Sequence, residues 1–390
     1  MKHLKTITAF AVTVFSLAAC QKQTQLLPAV EKANPAALQE VKQGDEGVDF
    51  RQSNNHVYTL SNQVSGNKVM DYKRANNGTL TFSDAYATGG TGTGGGLGNQ
   101  GAVILAEDHE LLLAVNPGSN SISSFKVSGN GLYLKSTVSS GGMKPVSITM
   151  HDEIVYVLNA GGDGNISGFK LTDEGKLTAI ANSTRSLSSS ASGAAGIAFV
   201  NDGSAVVVTE KATNKIITYT INSSGVPGMM HFITSSTPTP FGFANGENGN
   251  IFVSEAAGGA AGASKLSSYH INNNGSISLL TGSVGANQSA ACWVVITNNG
   301  KYAYTTNTNS DNLTTFGITS NGGIAVNTAI AATTGMGPID AALSNNSKYL
   351  YILNSNSHTI GVYAVANDGG LSNVQTVTGV PAGANGLAAK

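Results

Sequence analysis

The chain has 390 residues, of which only 11% are charged, with 21 Lys and Arg against 22 Asp and Glu and a formal net charge of −1. This balance supplies neither a basic field for nucleic acid nor an acidic tail, and with Arg51, Arg74 and Arg185 as its only arginines the chain is poor in phosphate clamps. Two cysteines, Cys20 and Cys292, leave stability to core burial rather than to a disulfide framework.

In chain order, Met1 to Lys5 carry two lysines, Thr6 to Leu17 form a short apolar core, and Leu17-Ala18-Ala19-Cys20 follows. The segment is too short and wrongly flanked for a spanning helix and reads as an export signal over residues 1–19. "LAAC" resembles the lipobox of bacterial lipoproteins. By that resemblance Cys20 is the lipidation site, the protein is exported and membrane-anchored through its N-terminal lipid, and Gln21 favours the outer membrane. An ordinary signal peptide cut near Ala19 is the alternative. Residues 20–55, polar and interrupted by Pro28 and Pro35, read as a flexible tether.

From residue 56 to 390 the chain repeats itself. "VYTLS", "LLAVN", "VYVLN", "VVVTE", "IFVSE", "AYTTN" and "LYILN" recur every 43 to 55 residues. Each is followed by a strand such as "SISSFKV" or "KIITYTI" and a turn with Gly, and all but the first are preceded by another short strand. Four short strands per unit, without helical periodicity, predict an all-β, seven-bladed β-propeller of four-stranded antiparallel blades. The first unit lacks its leading strand and "GANGLAA" (383–389) is spare, so the C-terminal strand is expected to close the ring. A solenoid or sandwich is the alternative architecture.

If the strands of a blade are named A to D from the axis outward, the B–C turns and D–A crossovers share one face. Asn116, Asn159, Glu210, Glu255, Asn307 and Asn354 then ring one mouth of the channel, beside Phe241, Trp293 and Asp340. Asn suits a strand end that turns. Glu does not, and Glu210 and Glu255 occupy adjacent blades. Two close carboxylates at a partly desolvated mouth would leave one as a base able to activate water, or would hold a divalent cation; otherwise they accept hydrogen bonds and seal the ring. No other cofactor is expected. Lys211 follows Glu210 and points to the other side of the strand. The Gly-rich loops 87–101 and 255–265 are mobile covers or slack connections, slack being the preferred reading. "GLGNQG" (96–101) matches a dinucleotide fingerprint only formally, since no helix follows. His109 and His151 fall on the opposite, A–B face. Trp293 lines the mouth or plugs the core, the plug being preferred.

"VVVTEKATNKIITYTINSSGVPG", "TPFGF", "VSEAAGG", "SAACWVVITNNGKYAYTTNT", "GPIDAALSNNSKYLYILNSNSHTIGVYAV" and the closing "GLAA" resemble the lactonase-family β-propellers, related to 6-phosphogluconolactonases and carboxymuconate-lactonising enzymes, over about residues 56–390. "LYILNSNSHTIGVY" is also similar to YVTN repeats of cell-surface propellers. The resemblance implies a small-molecule lactone or cyclic ester as substrate, with Glu210 and Glu255 as catalytic carboxylates. Arg185 matches the subfamily's pattern and Arg185 or Lys211 would hold an anionic substituent, while Asn159, Asn307 or backbone amides stabilise the oxyanion; Asn354, Asp340 and Phe241 complete the expected substrate site. A phosphate-binding cluster is missing, which puts a phosphorylated sugar in doubt. The rival expectation is a non-catalytic envelope propeller that binds a surface ligand across the same face.

Overall fold

A run such as Ala205–Glu210 (AVVVTE) is apolar on both faces, so as a strand it must be covered from both sides. Every residue of it is buried. The computed structural model, which describes residues 55–106 and 108–390, provides that cover by setting seven antiparallel sheets around an axis so that each blade's second strand lies between neighbouring blades. The predicted export signal, Cys20 and the tether up to residue 54 lie outside the described residues.

Blade 1 is built from both ends of the described chain. Its inner strand A is Asn385–Ala389, paired antiparallel with strand B, His56–Leu60, which continues through Lys68–Arg74 to Leu80–Ala87. The C-terminal strand therefore closes the ring, and opening it requires breaking a ladder within one sheet. Blades 2, 4, 5, 6 and 7 follow in chain order with four strands each. In blade 3 the outer strand is split into Leu177–Ala179 and Arg185–Ser186, both paired with Asn165–Leu171. A single short 3-10 turn, Ala257–Gly259, is the only helix among the described residues, and none of their helices is long and apolar enough to cross a membrane.

The repeated tyrosine of "VYVLN", "AYTTN" and "LYILN" has a physical reason. Tyr156, Tyr304 and Tyr351 are fully buried on strand B, and each hydroxyl donates to a carbonyl in the C–D turn of the next blade: Gly225 at 2.7 Å, Gly369 at 3.0 Å and Gly78 at 3.5 Å. A buried phenol needs such a partner. The ring thus stitches blade to blade near the rim while apolar side chains fill the space between sheets.

The inner strands carry a different problem. Strand A is an edge, and a register shift interrupts its pairing with strand B in blades 1, 3, 4, 5, 6 and 7. Backbone groups are left facing the axis there. Buried N–H and C=O groups need partners.

Candidate functional site

The strand-B ends do gather on the crossover face, as topology requires, but their side chains turn into the blade junctions. Glu210 is fully buried; its Oε1 accepts from the Ser188 N–H at 2.8 Å and its Oε2 from the hydroxyls of Ser188 and Thr213. Glu255, equally buried, accepts from Ser267 and Tyr269 hydroxyls at 2.8 Å each and from the backbone and hydroxyl of Thr237. Burial pushes the Glu255 carboxyl up, and these donors pull it partly back. Glu210 therefore ties the B–C turn of its blade to the preceding crossover, and Glu255 ties strand C of its blade to the crossover at Thr237.

The asparagines donate where the glutamates accept, chiefly to strand C of their own blade, and Asn159 also reaches the crossover. Asn116 donates to Ser123 at 2.8 Å, Asn159 to Asn165 at 2.8 Å and to the Ser140 carbonyl at 3.1 Å, Asn307 to Asn312 at 2.8 Å and Thr314 at 2.9 Å, and Asn354 to Thr359 at 3.1 Å. The crossover packs so closely on this position that a Cβ at Gly142 would lie 2.7 Å from that of Asn159. The expectation of two carboxylates poised together at an open mouth is thus corrected. Their oxygens face donors, not ligand space, and among the described residues no group of three or more His, Cys, Asp or Glu converges on a metal position. A cation between them has no support.

The mouth itself is closed by the loop read as slack. Residues 97–101 enter the tunnel and satisfy the inner edges of five blades. Leu97 N–H donates to Asn385 at 3.3 Å, the Gly101 carbonyl accepts from Ile148 at 2.9 Å, and Gln100 N–H donates to the Ala195 carbonyl at 2.8 Å. The Gln100 amide also donates to the Phe243 and Val294 carbonyls at 2.9 and 3.1 Å and accepts from Val294 N–H at 3.2 Å. Trp293 is buried and its indole donates to the Asn99 carbonyl at 2.6 Å, which is the plug reading of that residue. In "GLGNQG", Gly98 and Gly101 take φ of +62° and +79°, a backbone region that glycine adopts without strain, and this lets the plug turn between strand edges.

Three more expected binding residues belong to this closure. Lys211 points inward, opposite to Glu210, donates to the Gly98 carbonyl, and lies 4.5 Å above the Phe241 ring, which packs at 5.0 Å against Trp293. Burial, helped by Lys144, lowers its amine to about 7. Phe241 is buried beneath it. Asp340 is buried on strand A of blade 7 and accepts from Ala341 N–H at 2.9 Å and from the backbone of Gly386 in blade 1, joining the blades where the ring closes. Burial pushes its carboxyl well above the ordinary range. Arg185 sits on the outer strand of blade 3, donating to the carbonyls of Pro227, Gly228, Asn182 and Thr184, so its guanidinium is spent at the rim. It does not meet Lys211 at a mouth.

Open space lies on the opposite face. A cleft of about 790 Å3 spans the A–B turns of blades 3, 4 and 5, lined by His151, Phe199, Asp202, Glu247, Asn248 and His270 among others, without a lysine or arginine. The His151 ring is held over Gly203, where a Cβ would lie 2.0 Å from Cδ2, and stands 6.0 Å from the Phe199 ring. Its Nε2 is 3.7 Å from the exposed Asp152 carboxylate, and about a quarter of the side chain is accessible. His270 pairs through Nδ1 with Asn250 at 3.0 Å. The sequence placed His151 on this face without giving it a role. The signal was the recurrence of polar A–B turns, "MHDE", "VNDG" and "NGENGN", in three consecutive blades.

The model of a family described as "Lactonase, 7-bladed beta-propeller" matches residues 12–188 and 263–387. The gap between them holds Glu210, Lys211, Phe241 and Glu255. Among solved structures, the chain is similar to a putative 6-phosphogluconolactonase from Bacteroides uniformis (18% identity, 85% of this chain and 99% of that one, TM-score 0.67), to another from Bacteroides fragilis (15%, 87% and 99%, 0.66) and to the periplasmic gluconolactonase PpgL of Pseudomonas aeruginosa (15%, 85% and 98%, 0.64). At such identities the likeness is one of fold. No curated protein sequence matches the chain.

Proposed function

Since the chain belongs to the family of seven-bladed lactonase β-propellers, we propose that it is a lactonase-type hydrolase whose reaction takes place in the cleft on the A–B face. The observation that carries this placement is His151: a partly exposed imidazole on a fixed perch of Gly203 and Phe199, opening on a cleft of about 790 Å3. A cleft of that size suits a small organic ligand. The crossover face offers only buried carboxylates that are already hydrogen-bonded.

In this reading His151 takes a proton from a water whose oxygen attacks the lactone carbonyl. The Asp152 carboxylate stands 3.7 Å from Nε2 of that ring. Exposed cleft amides such as Asn248 face the developing oxyanion. Collapse breaks the ring C–O bond, the imidazolium returns its proton to the leaving alkoxide, and a hydroxy acid departs. His151→Ala in the purified full chain, assayed on a panel of uncharged and anionic lactones, should lose at least 100-fold in kcat/KM, whereas Glu210→Gln and Glu255→Gln should stay within a few-fold of the parent. Full activity in His151→Ala removes the placement.

The N-terminal signature supports export and lipid attachment at Cys20 as part of this proposal. Metabolic labelling with a radioactive fatty acid tests it; a Cys20→Ser variant that still takes label contradicts it.

A further inference from the structure

The A–B face holds more than one cleft, and the clefts adjoin. The central one shares His151, Phe199, Asp202 and Gly203 with a cleft of about 340 Å3 toward the rim, and Gly246, Glu247 and Asn250 with one of about 240 Å3 between blades 5 and 6. A fourth, of about 360 Å3 between blades 2 and 3, meets them at Met150, Asp152 and Glu153. Open space is therefore strung across five consecutive blades. The central cleft alone lies high in the range of roughly 300–1,000 Å3 that holds a drug-sized ligand, which is more than one sugar ring fills.

The chemistry of the walls narrows the occupant. Asp108, Asp152, Asp173, Asp202 and Glu247 stand against Lys126 and Lys301, and Lys126 is already paired with Glu110 at 2.7 Å. An anionic chain would be repelled. A peptide needs either an open strand edge or apolar pockets for its anchors, and the central cleft, which holds most of the open volume, is lined mainly by polar groups. Its side-chain amides, carboxylates and imidazoles instead match vicinal hydroxyl groups, which donate and accept in pairs.

We propose that these clefts form one groove that binds a saccharide chain free of anionic groups, with His151 near its middle. The inference gives a ligand class to the cleft of the proposed hydrolase, and it rests on that reading only for where a lactone end of the chain would be opened. Calorimetric titration of the full chain with glucose, cellohexaose, chitohexaose and oligogalacturonate of matching length tests it. At least one neutral hexamer should bind tenfold or more tightly than glucose, and the oligogalacturonate should not bind. Combining Glu247→Ala with Asn273→Ala, both exposed groups, should weaken the hexamer at least tenfold at an unchanged unfolding temperature. Equal affinity for hexamer and monosaccharide, binding of the uronate, or an unaffected variant each overturns the groove. Lactone hydrolysis without oligosaccharide binding would sink this inference and leave the hydrolase standing; binding without hydrolysis would do the reverse.

Discussion

Lys211 offers the sharpest test of the tunnel plug, because its amine is buried against Gly98 and Phe241 with its proton affinity lowered to about 7 from an ordinary 10.5. In the unfolded chain the amine returns to the ordinary value. Between these two values the unfolded state binds more protons than the native one, so stability rises with pH across that window; below about 7 the cost of burying the cation is fully present. One unit corresponds to about 1.4 kcal/mol, which sets the cost at up to about 5 kcal/mol before other rearrangements. The cation–π contact and the Gly98 carbonyl are already part of that balance. Methionine keeps the apolar stem over Phe241 and carries no charge. Lys211→Met is therefore expected to be more stable than the parent at pH 6, by a few kcal/mol, with the advantage shrinking toward zero by pH 10. Urea unfolding of both proteins at pH 6, 8 and 10 measures this, and taking the difference removes the tyrosines, which titrate alike in both. A difference that stays constant across the three pH values would refute the argument, since it would mean the amine is not desolvated in the folded ring.

Glu255→Gln tests the neighbouring junction: the raised native carboxyl stabilises the fold at low pH and loses that contribution as pH rises, so the variant should gain on the parent between pH 4 and 8, read by thermal unfolding. Gln100→Ala leaves Phe243 and Val294 backbone groups without partners and should cost about 3 kcal/mol in urea unfolding; an effect below about 0.5 kcal/mol would mean that water replaces the plug. Gly203→Ala puts a Cβ 2.0 Å from His151 Cδ2 at a φ of +77°, so kcat/KM on lactones should fall at least tenfold while stability drops by about 1–2 kcal/mol.

Period and burial made the architecture legible. Seven apolar runs at a spacing near fifty residues, with a spare strand at the C-terminus, fix both the blade number and the closure of His56–Leu60 by Asn385–Ala389. Topology also placed the strand-B ends on one face correctly. What it did not decide was the direction of a terminal side chain. Glu210 and Asn159 look different in sequence because one accepts and the other donates, yet both tie a crossover to the next part of their own blade, the B–C turn at Thr213 in one and strand C at Asn165 in the other. Reading the glutamates as chemistry treated residue type as function, when the partners, Ser188 and Thr213 in one case and Ser267 and Tyr269 in the other, lie 3 to 22 residues away. The plug was illegible for a related reason. Its conformation is set by unpaired groups on five separate blades, and a run of glycines carries no local signal of where those groups are.

The contrast between the two faces follows from one requirement. Seven inner strands present backbone groups to a narrow axis, and a water-filled tunnel or an inserted segment must satisfy them. Here residues 97–101 do so, and the crossovers beside them are drawn tight, which is why glycine sits against Asn159 and why Lys211 loses its solvent. On this face the polar atoms that keep no partner among the described residues, Oδ1 of Asn99, Asn159 and Asn354, are buried out of a ligand's reach. On the A–B face the turns diverge, and Asp202, Glu247 and Asn273 line a cleft without a hydrogen-bond partner for their side chains among the described residues. Unpaired polar groups in a concavity are what recognition uses, because their hydrogen bonds are still to be made. The same economy that closes one mouth of the ring thus leaves open space at the other.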